Sequence, residues 1–337
     1  MNDGAPTEAG AMVDSFGRRI EYLRISVTDR CNLRCVYCMP EEGLPWLRKD
    51  ELLSYEEIQA MVEAMAPLGL RRVRLTGGEP LVRKDLPRLV DLIASVPGIR
   101  DLAISTNGVL LKELAGPLRE SGATRVNVSM DSFRKDRVDA LARRPGTFEK
   151  VLSGLEAAER VGLEPIKINV VLIRGKNDDE ISDFAEATRT RPWHVRFIEI
   201  MPTNSNLDLS TEGFFSCQES LARLRELGEM EPVTGPEGNG PATYYQFAGA
   251  PGTVGVIAPM SHNFCDGCNR LRLTADGYLR PCLFGEIQTN LKDPLRAGDD
   301  LVPLIEKTLR IKPERHDLVK GSAAGSCGLI SLSQTGG

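Results

Sequence analysis

Six short apolar runs recur along the first part of the chain: YLRISV (22–27), RVRL (72–75), DLAIS (101–105), RVNVSM (125–130), PIKINVVLI (165–173) and WHVRFIEI (193–200). Each is short, rich in β-branched or leucine residues and bounded by polar turns, the signature of a buried strand. Helical signals lie between them. Ser54 opens SYEE, an N-cap with a glutamate three residues on, which predicts a capping box. DLPRLVDLIASV predicts a helix after the second run, and NDDE at 177–180 predicts a cap for the helix before the sixth.

Strands alternating with helices imply a parallel sheet with right-handed crossovers. Six such units closing partway give an α/β fold, an incomplete (β/α)6 TIM-like barrel. In parallel α/β folds the chemistry gathers at the C-terminal ends of the strands. CNLRCVYC, TGGEP, STNG, SMDS and EIMP all sit there, so one mouth is expected to collect them.

Beyond about residue 230 the character changes. MEPVTGPEGNGPATY, rich in Pro and Gly, predicts a linker or long loop. TVGVIAP reads as a strand, and NRLRLT and YLRPCLF flank Ala275-Asp276-Gly277, a hairpin signal. Folding back there carries Cys282 towards Cys265 and Cys268. On a regular strand Cys268, Arg270 and Arg272 share a face. The expected organisation is a flexible lead-in (1–14), a core barrel (15–235) and a C-terminal region (236–337) ending in Gly336-Gly337.

Composition changes this picture little. The chain has 337 residues, 41% hydrophobic and 26% charged, the balance of a soluble globular protein. A net charge of −5 argues against a duplex nucleic acid partner but leaves a locally basic pocket possible. No apolar run is long enough to cross a membrane, and MNDGAPTEAGAMVDSFG lacks the basic start and apolar stretch of a signal peptide. A cytoplasmic protein is expected.

The eight cysteines do change it. In a reducing compartment clustered thiols point to metal rather than disulfides. Cys31, Cys35 and Cys38 form one triplet and Cys265, Cys268 and Cys282 another, with Cys217 and Cys327 apart. Structural zinc and electron-carrier clusters favour four protein ligands. A cluster held by three cysteines leaves one iron open for a reactant.

C-x3-C-x2-C with an aromatic before the last cysteine resembles the signature of the radical S-adenosylmethionine enzymes. The resemblance implies a 4Fe–4S cluster on Cys31, Cys35 and Cys38 that chelates S-adenosylmethionine. Tyr37, Gly78 of GGEP, Ser129 of SMDS and Met201 of EIMP match positions contacting that cofactor. C-x2-C-N-R-x-R, a later cysteine in CLFG and a Gly-Gly end resemble, more narrowly, the molybdenum cofactor biosynthesis A family, the GTP 3′,8-cyclases. The likeness runs over roughly residues 14–337. It implies a second 4Fe–4S cluster on Cys265, Cys268 and Cys282, and GTP contacts at Arg24, Arg74, Ser105, Lys167, Arg270, Leu271 and Arg272. Ser105 stands where the family commonly has threonine, which keeps a hydroxyl. The family further implies an external electron donor, a downstream cyclic pyranopterin monophosphate synthase, a glycine tail threading to the active site, and leaves a homodimer open.

Guanidiniums suit this assignment, since a triphosphate in a low-dielectric pocket needs fixed cations that bind two oxygens at once. No acid–base pair is evident, and His194, His262 and His316 carry no motif, so no catalytic side chain is assigned. Two rivals stand beside this reading. One is a peptide-modifying radical enzyme with an auxiliary cluster; the other is a non-enzymatic iron–sulfur carrier.

Overall fold

A computed structural model describes residues 11–202, 206–238 and 240–316. All six apolar runs fold as strands: β1 Tyr22–Ser26, β2 Arg72–Thr76, β3 Asp101–Thr106, β4 Arg125–Ser129, β5 Lys167–Leu172 and β6 His194–Glu199. They pair in sequence order, all parallel, with the helices α1 Tyr55–Met65, α2 Leu86–Ala94, α3 Leu111–Glu120, α4 Lys135–Ala142, α5 Thr147–Arg160 and α6 Ile181–Thr190 in the crossovers. The Ser54 capping box forms as expected, with Ser54 and Glu57 each accepting the other's main-chain N–H.

The later strands complete both edges of the same sheet. β7 Met230–Val233, β8 Thr243–Phe247 and β9 Thr253–Ile257 extend it beyond β6, while β10 Arg270–Leu273, β11 Tyr278–Arg280 and β12 Thr289–Asn290 extend it beyond β1. β9 and β10 join the parallel set; the outer four strands run antiparallel to their neighbours. The sheet of twelve strands does not pair its edges, so the barrel stays incomplete.

Side chains on the strands divide cleanly by parity. One set, including Leu23, Ile25, Val73, Leu75, Ile104, Val126, Ile168 and Phe197, is fully buried in the core under the helices. The other set faces the barrel interior and is polar: Tyr22, Arg24, Arg74, Asp101, Ser105, Arg125, Asn127, Lys167, Asn169 and Arg196. Parallel strands covered on both faces normally read as apolar throughout. Here the inward face is polar and charged instead, though largely buried.

One expectation is corrected and another refined. NDDE does not cap a helix: Asp178–Glu180 forms a 3-10 turn, and α6 begins at Ile181. Asn177 instead accepts from the Ile173 N–H (2.8 Å) and donates to the carbonyls of Asp131 (2.8 Å) and Val171 (2.9 Å), so it ties β5 to the SMDS loop. The stretch read as a linker or long loop does contain a long loop, 234–242, but its ends pair as the antiparallel strands β7 and β8. That loop passes over the lumen.

Candidate active site

The chemistry occupies two mouths, not one. β1 carries the chain to the first cysteine triplet at the C-terminal ends of the strands, where GGEP, STNG and SMDS also arrive. Cys265 and Cys268 precede β10, which runs parallel to β1, and Cys282 follows β11, whose Arg280 lies opposite Arg272. The second triplet therefore lies at the N-terminal mouth, with the lumen between. The five strand-end motifs share one mouth as expected, and the second triplet lies at the other because the strand that carries it enters where the others begin.

At the first mouth, Cys35 interacts electrostatically with Cys38 and Cys31, so the three thiols share one site. Burial, then Cys31 and Asp131, push Cys38 up to about 12. Cys31, up at about 11, is raised by burial and Glu79, while the Leu33 N–H on its sulfur (3.4 Å) opposes the shift. GGEP is fixed against the loop that leads into the triplet: the Gly78 N–H donates to the Thr28 carbonyl and the Glu79 N–H to the Arg30 carbonyl, both at 2.8 Å. A Cβ on Gly77 would lie 2.3 Å from the Thr28 carbonyl oxygen, and one on Gly78 would lie 2.3 Å from that of Arg30. The glycines are thus demanded by the protein's own backbone. Buried Glu79 reaches on to the third strand, accepting from Thr106 Oγ1 and the Asn107 N–H, both at 2.7 Å. Burial raises it to about 7.

Tyr37 donates to Asp131 Oδ2 (2.7 Å), and Asp131 Oδ1 accepts the Val171 N–H (2.8 Å). Burial lifts Asp131 to about 6. Ser129 stands exposed at the end of β4 and Met201 half-buried just past β6. Tyr37, Gly78, Ser129 and Met201 therefore all belong to this mouth.

The lumen is cationic. Arg74, Arg125, Lys167, Arg196 and Arg272 are all at most 8% exposed, with Arg24 and Ser105 half-buried beside them. Arg125 pairs with Asp101 (2.6 Å) and Arg196 donates to Asn127 Oδ1 (2.9 Å). Arg74 Nε, Arg125 Nη1 and Arg196 Nε find no hydrogen-bond partner among the described residues. Burial lowers Arg74 and Arg272 to about 10, and burial with the neighbouring Arg125, Arg196 and Arg74 lowers Lys167 to about 6. Lys167 donates to the carbonyls of Pro236 and Glu237 in the β7–β8 turn, which covers it. Sequence reasoning missed Arg125 and Arg196; their alternate spacing in RVNVS and HVRFIE was the available signal.

At the second mouth, Cys265 interacts with Cys282 and Cys268. Burial raises Cys268, but Arg270 and Lys312 outweigh it and bring the thiol down to about 7. Arg270 lies over the Phe264 ring (5.0 Å). Leu271 turns its side chain into the core, at 1% exposure, so only its main chain borders the site. Arg18 braces this mouth, donating to the carbonyls of Cys265 (2.8 Å), Pro313 (2.6 Å) and Glu314 (2.8 Å). Gly336, Gly337 and Cys327 lie outside the described residues.

Among the described residues no three His, Cys, Asp or Glu groups converge on a single metal ion. A four-iron cubane makes a different demand: each thiolate ligates its own iron, so the sulfurs surround a space. Two triplets of mutually interacting thiols, met by N–H donors, fit that demand.

Comparison with known proteins agrees with this layout. The Radical SAM superfamily domain matches residues 25–188 and the Molybdenum Cofactor Synthesis C domain matches 193–318. A GTP 3′,8-cyclase of Pelotomaculum thermopropionicum is 48% identical over 314 residues, 92% of this chain and 96% of its own. One from Listeria monocytogenes is 47% identical over 306 residues, 90% and 92% of the two chains. Streptococcus suis SuiB, solved bound to S-adenosylmethionine, shares the fold: TM-score 0.59 and 14% identity, covering 82% of this chain and 65% of SuiB. No helix among the described residues is long and apolar enough to cross a membrane. The chain belongs to the radical S-adenosylmethionine superfamily and, within it, to the GTP 3′,8-cyclase family.

Proposed function

We propose that the chain converts GTP to (8S)-3′,8-cyclo-7,8-dihydroguanosine 5′-triphosphate, the first step of molybdenum cofactor synthesis. The observation that carries the reading is a cation-lined lumen joining two cysteine triplets at opposite mouths. When bound, S-adenosylmethionine and its cluster would, on taking one electron, supply radical chemistry able to remove the ribose 3′ hydrogen of GTP. Joining C3′ to guanine C8 would then need a second electron and a proton to give the dihydro product.

The chain's own residues bind and aim. Cys31, Cys35 and Cys38 hold the first 4Fe–4S cluster, and Tyr37, Gly78, Ser129 and Met201 border its S-adenosylmethionine. Arg24, Arg74, Lys167 and Arg272, with Arg196, offset the triphosphate. Ser105 offers a hydroxyl from β3. A second cluster on Cys265, Cys268 and Cys282, beside Arg270 and the Leu271 main chain, receives the guanine end. Unneutralised, this set of buried cations would weigh against folding; a polyanion relieves it. Keeping water out and the ribose near the adenosyl carbon is the remaining task. Residues 15–235 thus generate the radical, and 236–337 complete the nucleotide site. An external one-electron donor is required, and a cyclic pyranopterin monophosphate synthase consumes the product.

Anaerobic reconstitution followed by S-adenosylmethionine, dithionite and GTP tests the proposal. Both 5′-deoxyadenosine and the cyclised nucleotide are expected. An electron carrier would form neither, and a peptide-modifying enzyme would leave GTP unchanged.

A further inference from the structure

Lys312 follows the helix Val302–Arg310 and is only 3% exposed. Its ammonium has three donors, and each meets one acceptor: Cys268 Sγ at 3.4 Å, the Arg270 carbonyl at 3.0 Å and the Pro281 carbonyl at 2.6 Å. These acceptors come from both arms of the β10–β11 hairpin, immediately beside Cys268 and Cys282. Among the described residues no carboxylate pairs with it, and those three acceptors are its hydrogen-bond partners. A buried ammonium without a counter-charge is strongly unfavourable, so the counter-charge must come from sulfur. At the first triplet the donors on the Cys31 sulfur are neutral: the Leu33 main chain at 3.4 Å and the Asn107 amide at 3.9 Å.

We infer that Lys312 is a positioning residue for the second iron–sulfur cluster, its ammonium offsetting the cluster's negative charge and raising its reduction potential. The inference rests on the two-cluster reading. A cation beside an iron–sulfur cluster favours the more negative, reduced state, and one hydrogen-bonded to a ligand sulfur acts at the shortest range available.

Redox titration of the fully reconstituted protein, followed by electron paramagnetic resonance, tests it in wild type and in Lys312→Met, Lys312→Gln and Lys312→Arg. Met and Gln should move the second cluster's potential negative while the first cluster's stays in place, and Arg should remain near wild type. Gln keeps hydrogen-bond donors without charge, so a wild-type potential in Gln would overturn the charge argument. An unmoved potential in Met overturns the inference outright. Should Met and Gln lose the second cluster, Arg decides: retention at the wild-type potential supports the inference, and loss in a protein with native circular dichroism overturns it. A wild type that takes up iron for one cluster only would sink the two-cluster reading instead.

Discussion

Cys31 and Cys38 are buried near Glu79 and Asp131, whereas Cys268 is buried near Arg270 and Lys312. Burial alone pushes every one of these thiols up; the neighbours decide where each settles. At the first mouth carboxylates add to burial and the thiols stand at about 11 and 12; at the second, cations reverse it and Cys268 stands at about 7. The proposed ligands differ in the same sense. S-adenosylmethionine brings a sulfonium cation to the acidic mouth, and GTP brings a polyanion to the basic lumen and mouth. Two triplets of equal size can therefore serve different ligands because the strands around them differ in charge.

The largest test removes each triplet in turn. Replacing Cys265, Cys268 and Cys282 with Ala should halve the iron, abolish cyclised nucleotide and leave some 5′-deoxyadenosine under dithionite, since radical formation uses the other mouth. Replacing Cys31, Cys35 and Cys38 should abolish both products. Near-normal cyclisation in the first variant would make the second mouth structural and erase the contrast.

Gly78→Ala probes how the acidic mouth is built. The new Cβ meets the Arg30 carbonyl oxygen at 2.3 Å, a main-chain atom that cannot swing aside. The strain is expected to reach about 2–4 kcal/mol, in the range of severe single substitutions, and to fall on the loop leading to Cys31. Iron at the first triplet and 5′-deoxyadenosine should drop sharply, with second-triplet iron retained. Equal loss at both mouths would show general unfolding.

In the lumen, Arg74→Met should weaken GTP binding about tenfold to a hundredfold, since a charge-assisted contact is worth about 1.5–3 kcal/mol. Guanosine, lacking the phosphates, should bind poorly to both proteins and hardly distinguish them. Equilibrium dialysis reads the difference. Equal loss for the two ligands would take Arg74 out of the phosphate clamp.

The unequal legibility of the two mouths has a physical cause. Strand runs, the Ser54 capping box and the β10–β11 turn are local patterns of period and cap, so their residues spell them directly. The first mouth is local too: Cys31 to Cys38 is one loop, and GGEP enters at the end of the next strand. The second mouth is assembled at long range. Arg18 and Lys312 meet Cys265 and Cys268 across hundreds and tens of residues, respectively, and nothing beside either residue announces the contact. Arg125 and Arg196 were hidden differently. Each sits alone among apolar neighbours, and only the strand register, Arg125 beside Ala103 and Arg196 beside Asn169, brings them to one wall. The parity of the strands was readable; which face turned inward was not.

The smallest expected effect is a pH dependence of the basic lumen. Lys167 faces Arg125, Arg196 and Arg74, with Asp101 as the opposing charge and His194 beside it, itself lowered to about 4 chiefly by burial. With burial these cations hold Lys167 at about 6 in place of an ordinary 10.5, so above pH 6 the ligand-free protein carries it mostly neutral. A bound triphosphate favours the ammonium and raises that value. Binding is then coupled to proton uptake, and affinity for GTP should fall as pH rises above 6, by at most about tenfold per unit for one proton. Stability has the opposite sign: a charged form disfavoured in the fold makes the ligand-free protein gain stability from about pH 6 upward, towards the unfolded lysine's value. Phosphate itself titrates near pH 6, so Lys167→Met supplies the reference. Calorimetry in buffers of different ionisation enthalpy should show proton uptake at pH 8 in wild type and less of it in the variant. Identical uptake in both would mean that Lys167 is already charged before the nucleotide arrives.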